Sequence, residues 1–165
     1  MAHIHELIDF IINAFIVYEN KVLLINHKKL NKWLSVGGHI ELNENPEEAL
    51  FREIKEECGL DVEIIGKKPK IKSPEFNFTP LYAPTFLDVH NISNTHRHVG
   101  LNYFLKAKSD KFIFNKEEHN DIRWFSKEDL ENPKFNILPE IKFYAKEAIK
   151  MALLQLQNKE LYGIK

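Results

Sequence analysis

The sequence predicts an α/β fold in a single domain that spans residues 1–165. Runs rich in β-branched and aromatic residues recur along the chain, and two segments carry the capping signals or apolar periodicity of helices. The length of 165 residues allows a full-sized core, and 44% hydrophobic with 28% charged residues is typical of a globular protein. Disorder is therefore excluded as the main state.

The first elements are predicted to be a hairpin and a short strand. Two β-rich runs between Phe10 and Ile25 flank the polar pair Glu19–Asn20, a pattern typical of a hairpin. The run Trp33–Val36 predicts a strand that ends at Gly37 and Gly38. Paired glycines allow the backbone to turn tightly or to approach a ligand closely.

The clearest helix signal spans about Pro46 to Cys58. Asn45 is a suitable N-cap, Glu48 stands where it completes a capping box, and Gly59 provides the stop. Pro46 fits the first helical position because its missing N–H would have no partner there.

The second half of the chain alternates strands with polar or irregular segments before a last helix. Four prolines predict an irregular excursion over Lys67–Pro84. Strands are predicted at Val62–Ile65, Phe86–His90, Val99–Ala107 and Ile122–Phe125, followed by a capping pattern at Ser126 and a helix over about Pro139–Gln157. The apolar stripe of that helix comprises Ile141, Ala145, Ala148, Ile149, Ala152 and Leu156.

Charge and cysteine content limit the partners and the compartment. With 23 basic and 24 acidic residues, the formal net charge of −1 gives no attraction to a nucleic-acid polymer. The one cysteine, Cys58, cannot form an internal disulfide, which favours a reducing compartment. The sequence shows neither a secretory leader nor an apolar run long enough to cross a bilayer, so we expect a cytoplasmic protein without membrane contact.

Three glutamates place like charges on one face of the first helix. Glu53, Glu56 and Glu57 stand at positions i, i+3 and i+4, so their carboxylates lie about a turn apart and repel one another. A hard divalent cation such as Mg²⁺ would offset this repulsion, and a backbone carbonyl of Gly37 or Gly38 could complete its ligand shell. Arg52 could clamp a carboxylate or meet a phosphate oxygen, and its spacing fits both roles.

These residues spell a longer motif that resembles the box of the Nudix (MutT-like) hydrolases. Gly38, Glu44 and the run Arg52–Leu60 match the pattern Gx5Ex7REUxEExGU at all nine constrained positions. Seven of these positions demand one residue type, so the match is far more specific than a short glycine motif. The resemblance implies the Nudix fold, an α/β/α sandwich around a mixed β-sheet.

The resemblance also implies an activity and a set of site residues. The expected enzyme is a metal-dependent pyrophosphohydrolase that cleaves a nucleoside diphosphate linked to another moiety, using Mg²⁺ or Mn²⁺. By similarity, Glu56 and Glu57 are the main metal ligands, Glu53 a ligand or base, Arg52 the residue that orients these carboxylates, and Gly37 or Gly38 a carbonyl ligand. Glu44 is similar to a structural residue of this family.

Two further segments are candidates for the same site. Glu118 precedes a strand in the region that supplies a catalytic carboxylate in similar proteins, although a solvated loop residue is an equal alternative. His96, Arg97 and His98 precede another strand, where alternation would direct both histidines to one surface. They are candidates for substrate contact or a second metal, against the alternative of an exposed polar segment.

Other functions remain open at this point. A non-catalytic Nudix module that senses a nucleotide usually lacks some box carboxylates, and all are present here. An isopentenyl diphosphate isomerase would resemble the fold but needs a catalytic cysteine in a separate strand, whereas Cys58 lies on the apolar side of the box helix. The stripe of the last helix fits either a homodimer contact or packing on the sheet.

Overall fold

A computed structural model describes residues 5–71, 73, 75 and 77–162, and within 158–162 it describes the backbone only. Pro74, one of the prolines in the predicted excursion, lies outside the described residues, as do the first four residues of the chain.

Eight strands and three α-helices are formed by the described residues, with a short 3-10 helix at Pro133–Phe135. In chain order they are β1 (Ile8–Tyr18), β2 (Lys21–His27), β3 (Lys32–Leu34), β4 (Val36–His39), α1 (Pro46–Glu57), β5 (Val62–Ile64), β6 (Phe86–Asn91), β7 (Arg97–Ala107), β8 (His119–Phe125), α2 (Lys127–Glu131) and α3 (Pro139–Tyr162).

The predicted elements occur in the predicted order, with differences at their boundaries. Ser35 divides the predicted strand Trp33–Val36 into β3 and β4, and its hydroxyl lies 3.3 Å from Asn13 Oδ1, to which it donates. Strand β7 begins at Arg97 rather than Val99 because this polar end pairs with β1 on one side and β6 on the other. Hydrophobic pattern alone does not reveal such pairing.

The sheet is mixed. Strands β1 and β7 run parallel from Ile8↔Arg97 to Val17↔Lys106. The remaining pairs are antiparallel: β1 with β2 and β4, β7 with β5 and β6, and β2 with β3 and β8. The hairpin between β1 and β2 turns at Glu19 and Asn20, whose φ angles of 41° and 63° suit the tight turn that joins twisted strands.

Alternation along the strands directs side chains into two apolar layers. On one face, Ile12, Ala14 and Ile16 of β1 pack against Leu50 and Ile54 of α1 in one core cluster. On the other face, Phe15 and Val17 pack with Ala145, Ala148 and Ile149 of α3 in a second cluster. Helices on both faces of a mixed sheet confirm the expected α/β/α sandwich.

Helix α3 confirms most of its predicted stripe. Ala145, Ala148, Ile149 and Ala152 are buried and Ile141 is partly buried, whereas Leu156, one turn beyond Ala152, is 38% exposed. None of the helices within the described ranges combines the length and the hydropathy that a bilayer crossing requires.

Burial of α1 gives a stability prediction with a control on the same helix. Leu50 is fully buried, so Leu50→Ala should lower the free energy of unfolding by about 2–5 kcal/mol through lost apolar contacts and a residual cavity. Its neighbour Phe51 is 44% exposed, and Phe51→Ala should cost far less. Urea unfolding measures both values, and similar losses for the two variants would contradict this packing.

Candidate metal and catalytic site

The N-terminal cap of α1 sets the position of every acidic side chain on the helix. The side-chain oxygen of Asn45 accepts hydrogen bonds from the backbone N–H groups of Glu47 and Glu48, at 3.0 and 3.1 Å. Glu48 in turn accepts from the Asn45 N–H at 2.8 Å, which completes the predicted capping box. The helix therefore begins where the sequence predicts, and Glu53 and Glu57 face strand β4.

Arg52 is the hub of the acidic cluster. Its Nε and Nη2 atoms donate to the two carboxylate oxygens of Glu44 at 2.6 and 2.9 Å, a bidentate geometry. Its Nη1 donates to Glu53 at 2.7 Å and to Glu56 at 3.3 Å, while Nη2 also donates to the His39 carbonyl at 3.0 Å. Since all three nitrogens are engaged within the protein, the geometry favours the carboxylate clamp over direct phosphate contact.

The charge of Arg52 also controls ionisation around it. Its hydrogen bond lowers the pKa of the Glu44 carboxyl, and the carboxylates of Glu44 and Glu53 raise the pKa of the Arg52 guanidinium. Glu44 thus anchors Arg52, as expected for a structural residue.

The two glycines of β4 allow the strand to touch the glutamates of α1. The Gly37 N–H donates to Glu57 Oε2 at 2.8 Å. A Cβ atom at Gly38 would overlap the carboxylate of Glu53, and one at Gly37 would overlap the carbonyl of Ile12. Glycine at position 38 thus leaves room for the Glu53 carboxylate against β4, and glycine at position 37, whose φ of 153° disfavours other residues, is required by the backbone of β1.

The three box glutamates differ in exposure and in ionisation. Glu53 and Glu57 are buried, whereas the side chain of Glu56 is 55% exposed. Burial raises the pKa of Glu53 to about 7, with smaller contributions from the charges of Glu57 and Glu56 and an opposing one from Arg52. A group of oxygen donors with excess negative charge suits a hard divalent cation such as Mg²⁺.

Glu118 lies beside this group, together with a residue that sequence reasoning missed. Ligand atoms of Glu57, Glu118 and His119 all lie within 4.8 Å of one another. His119 is 2% exposed, and its Nε2 lies 3.2 Å from Glu57 Oε1. The loop before β8 is held by a hydrogen bond from the Lys28 N–H to the Glu118 carbonyl at 3.2 Å. In the sequence, the only signal for His119 is its position directly after Glu118.

An apolar groove lies on the α1 face of the sheet, where the helix leaves strands uncovered. Its volume is about 510 Å³, and Pro46 at the start of α1 is among its lining residues. The apolar side chains lining it are Phe10, Ile40, Leu42, Leu87, Val99 and Leu101. Leu42 and Leu87 are 80% and 65% exposed, so the groove presents apolar surface to solvent.

The segment His96–His98 does not join the box glutamates. His96 and His98 point to one side, as alternation predicts, but they are buried, so the alternative of an exposed polar segment is wrong for both histidines. Both lie with Asp9 and His39 on the face opposite to α1, while Arg97 is exposed. Burial lowers the pKa of His98 to about 4, assisted by neighbouring histidines. A role in substrate contact stays a prediction.

Cys58 packs in the core as the sequence predicts. It is fully buried and its Sγ lies 3.3 Å from the Ile54 carbonyl, to which it donates. Burial raises the pKa of its thiol to about 11, which makes the reactive thiolate form rare.

Comparisons with known proteins agree with the motif and the fold. A sequence model of the NUDIX domain matches residues 11–146. A crystal structure of a hydrolase of the NUDIX family from Clostridium perfringens is 38% identical, with a TM-score of 0.77, over 87% of this chain and 97% of that chain. A MutT NUDIX hydrolase from Burkholderia pseudomallei is 22% identical, with a TM-score of 0.63, over 86% of this chain and 98% of that one, which supports the fold alone.

A curated relative matches over a shorter stretch. An RNA pyrophosphohydrolase from Marinomonas sp. (strain MWYL1) is 62% identical over 40 residues. This stretch is 22% of this chain and 25% of the relative, so the match spans about a quarter of that protein's length.

The raised pKa of Glu53 predicts a pH-dependent stability in the metal-free protein. The folded-state pKa of about 7 exceeds the ordinary value of 4.5, so the contribution of Glu53 is fully present below pH 4.5 and is lost as the pH rises through 7. Glu53→Gln should therefore be more stable than the wild type at pH 8, and nearly equal at pH 5, in urea unfolding with a chelator. Glu56→Gln, altered at an exposed carboxylate, serves as the control. Equal stability of Glu53→Gln and the wild type at pH 8 would contradict this assignment.

Proposed function

This chain belongs to the NUDIX family, and from that premise we propose that it is a metal-dependent pyrophosphohydrolase acting on a nucleoside diphosphate linked to another moiety. One observation carries the proposal: Gly37 and Gly38, which lie within strand β4 rather than at its end, stand directly against the Arg52-held Glu53 and the neighbouring Glu57 of α1. Carboxylate oxygens are concentrated where α1, strand β4 and the loop before β8 meet.

The donor set fits Mg²⁺, with Mn²⁺ as the substitute. Glu53, Glu56 and Glu57 would hold the ion, with a backbone carbonyl of Gly37 or Gly38 completing the shell. When bound, the ion would supply neutralisation of the substrate's phosphate oxygens and a lowered pKa for the attacking water. Arg52 fixes the directions of Glu53 and Glu56, and the Gly37 N–H fixes Glu57.

Glu118 is the proposed general base. Its side chain is exposed and converges with Glu57 and His119, so it can accept a proton from a water that approaches from solvent. His119, whose Nε2 contacts Glu57 Oε1, would orient that carboxylate. Glu53 is the alternative base, and it is less accessible because it is buried against Gly38.

The apolar groove and the family support the proposed substrate class. A groove of about 510 Å³ is large enough for a flat nucleobase, and its apolar lining favours such a ring over a second charged group. The RNA pyrophosphohydrolase relative adds the 5′ end of an RNA to the substrates to test. The net charge of −1 favours recognition of the terminal nucleotide rather than of a long polymer.

Two alternatives have less support. A non-catalytic nucleotide sensor would not require the complete set of box carboxylates that surrounds Arg52. An isopentenyl diphosphate isomerase would need an accessible catalytic cysteine, and Cys58 is buried with a pKa of about 11.

The single cysteine also supports a cytoplasmic location.

A substrate panel tests the activity. Purified protein should hydrolyse at least one member of a panel of nucleoside triphosphates, ADP-ribose, nucleotide sugars, dinucleoside polyphosphates and a 5′-triphosphorylated RNA, and only with Mg²⁺ or Mn²⁺. Glu56→Gln should lower kcat at least about a hundredfold, because loss of a metal ligand removes several kcal/mol of charge stabilisation. Metal-dependent binding of one compound without cleavage would favour the sensor instead.

A second pair of variants tests the base. Glu118→Gln should lower kcat by about 10²–10⁴-fold, the range for loss of a general base, with little change in KM. Glu117→Gln is the matched control, because Glu117 is the adjacent acidic residue of the same loop and lies outside the group formed by Glu57, Glu118 and His119. If the two variants keep equal activity, Glu118 is not the base and Glu53 takes its place as the candidate.

A further inference from the structure

A second group of ligand-bearing side chains lies on the sheet face opposite to α1. It consists of Asp9 on β1, His39 on β4 and His98 on β7, with His96 just before β7, and is called here the Asp–His cluster. All four residues are buried, with exposures between 1% and 8%. Polar side chains buried together at the end of three strands need a shared partner or mutual bonds.

Strand pairing brings these residues together. Asp9 lies opposite His98 in the parallel β1–β7 pair. His39 lies opposite Ile11 on β1, two residues along from Asp9 and therefore on the same face. The facing directions of Asp9, His39 and His98 follow from the sheet register, so these three ligands are positioned by strands, and only His96 is carried by a loop.

The ligand atoms have the spacing of a metal site. His39 Nε2 lies 3.3 Å from His98 Nε2 and 3.4 Å from Asp9 Oδ2, and all three atoms lie within 4.8 Å of one another. Ligands bound at about 2.0–2.1 Å in a tetrahedral zinc site stand about 3.3 Å apart. Two of the three separations therefore equal the edge of such a tetrahedron.

Outer contacts hold two members of the cluster in position. Asp9 Oδ1 accepts a hydrogen bond from the His5 N–H at 2.7 Å, which leaves Oδ2 directed at the imidazoles. His96 Nδ1 donates to the Glu6 carbonyl at 3.0 Å, and its Nε2 lies 3.3 Å from Asp9 Oδ2. Bonds of this kind, from an imidazole nitrogen to a backbone carbonyl, fix ring orientation at metal sites.

We propose that Asp9, His39 and His98 bind a transition-metal ion, with zinc as the expected ion, in a site separate from the carboxylate site, where three protein ligands leave the fourth tetrahedral position to a water. Two imidazoles and one carboxylate are typical zinc ligands, whereas Mg²⁺ prefers oxygen donors alone. His96 borders the site and lies against the same carboxylate oxygen. A metal-free network of hydrogen bonds among these groups is the alternative that the experiment must exclude.

Cobalt substitution tests the proposal on the intact protein. The untagged protein, purified without metal resin and stripped with a chelator, is titrated with Co²⁺ in excess Mg²⁺, which occupies the carboxylate site. We expect one equivalent of Co²⁺ to give the intense visible absorption of tetrahedral cobalt, and one equivalent of Zn²⁺ to displace it. Zn²⁺ should also raise the Tm of the stripped protein.

Variants assign the ion to the cluster. His98→Gln and Asp9→Asn should weaken Co²⁺ binding at least about tenfold, as loss of metal-site contacts does. His90→Gln is the matched control, because His90 is 45% exposed and pairs with Asp88 at 3.0 Å, outside the proposed ligand set. Glu57→Gln should keep the cobalt spectrum, and far-UV circular dichroism checks that each variant is folded.

Two outcomes would overturn the proposal. A wild-type protein that shows neither the tetrahedral spectrum nor a Tm increase with Zn²⁺ would establish the metal-free network, whether or not any variant folds. A spectrum that is lost in Glu57→Gln but kept in His98→Gln would place the ion at the carboxylates. Neither outcome removes support for hydrolysis, since the first concerns the Asp–His cluster alone and the second would place an ion at the carboxylates, so this proposal can fail while the proposed activity stands.

Discussion

The positive charge of Arg52 is the constraint on which the candidate catalytic site depends. The guanidinium holds Glu44, Glu53 and Glu56 at hydrogen-bond distance and ties them to the backbone at His39. Without this cation, carboxylates on adjacent turns would repel one another and turn outward. The clamp therefore keeps the carboxylate oxygens in place in the absence of an ion, which would reduce the cost of ordering them for the proposed metal.

The sheet supplies the second half of the site through close approach. Gly37 and Gly38 bring the backbone of β4 against α1, so the side chains of Glu53 and Glu57 meet a strand rather than solvent. The buried position raises the energy of the ionised Glu53. Under the proposed function, this stability cost is retained because the ionised Glu53 would help to bind the metal ion.

Local signals carried most of the sequence prediction. Asn45 and Glu48 specify the start of α1, and alternation specifies the layers of the sheet, because both depend on neighbours in sequence. The sequence pointed to His96 and His98, but Asp9, His39 and His119 escaped prediction because their partners are distant. Asp9 lies opposite His98 because β1 and β7 pair in parallel. His119, at the start of β8, contacts Glu57 on α1. Such contacts leave no periodic trace in the sequence.

Strand β4 tolerates few changes in length. It is four residues long, and two consecutive residues of it point to opposite faces of the sheet. Gly38 lies against Glu53, and His39 belongs to the Asp–His cluster. An insertion or deletion within β4 would exchange these faces and damage both sites at once. The two proposed sites are therefore expected to be kept or lost together.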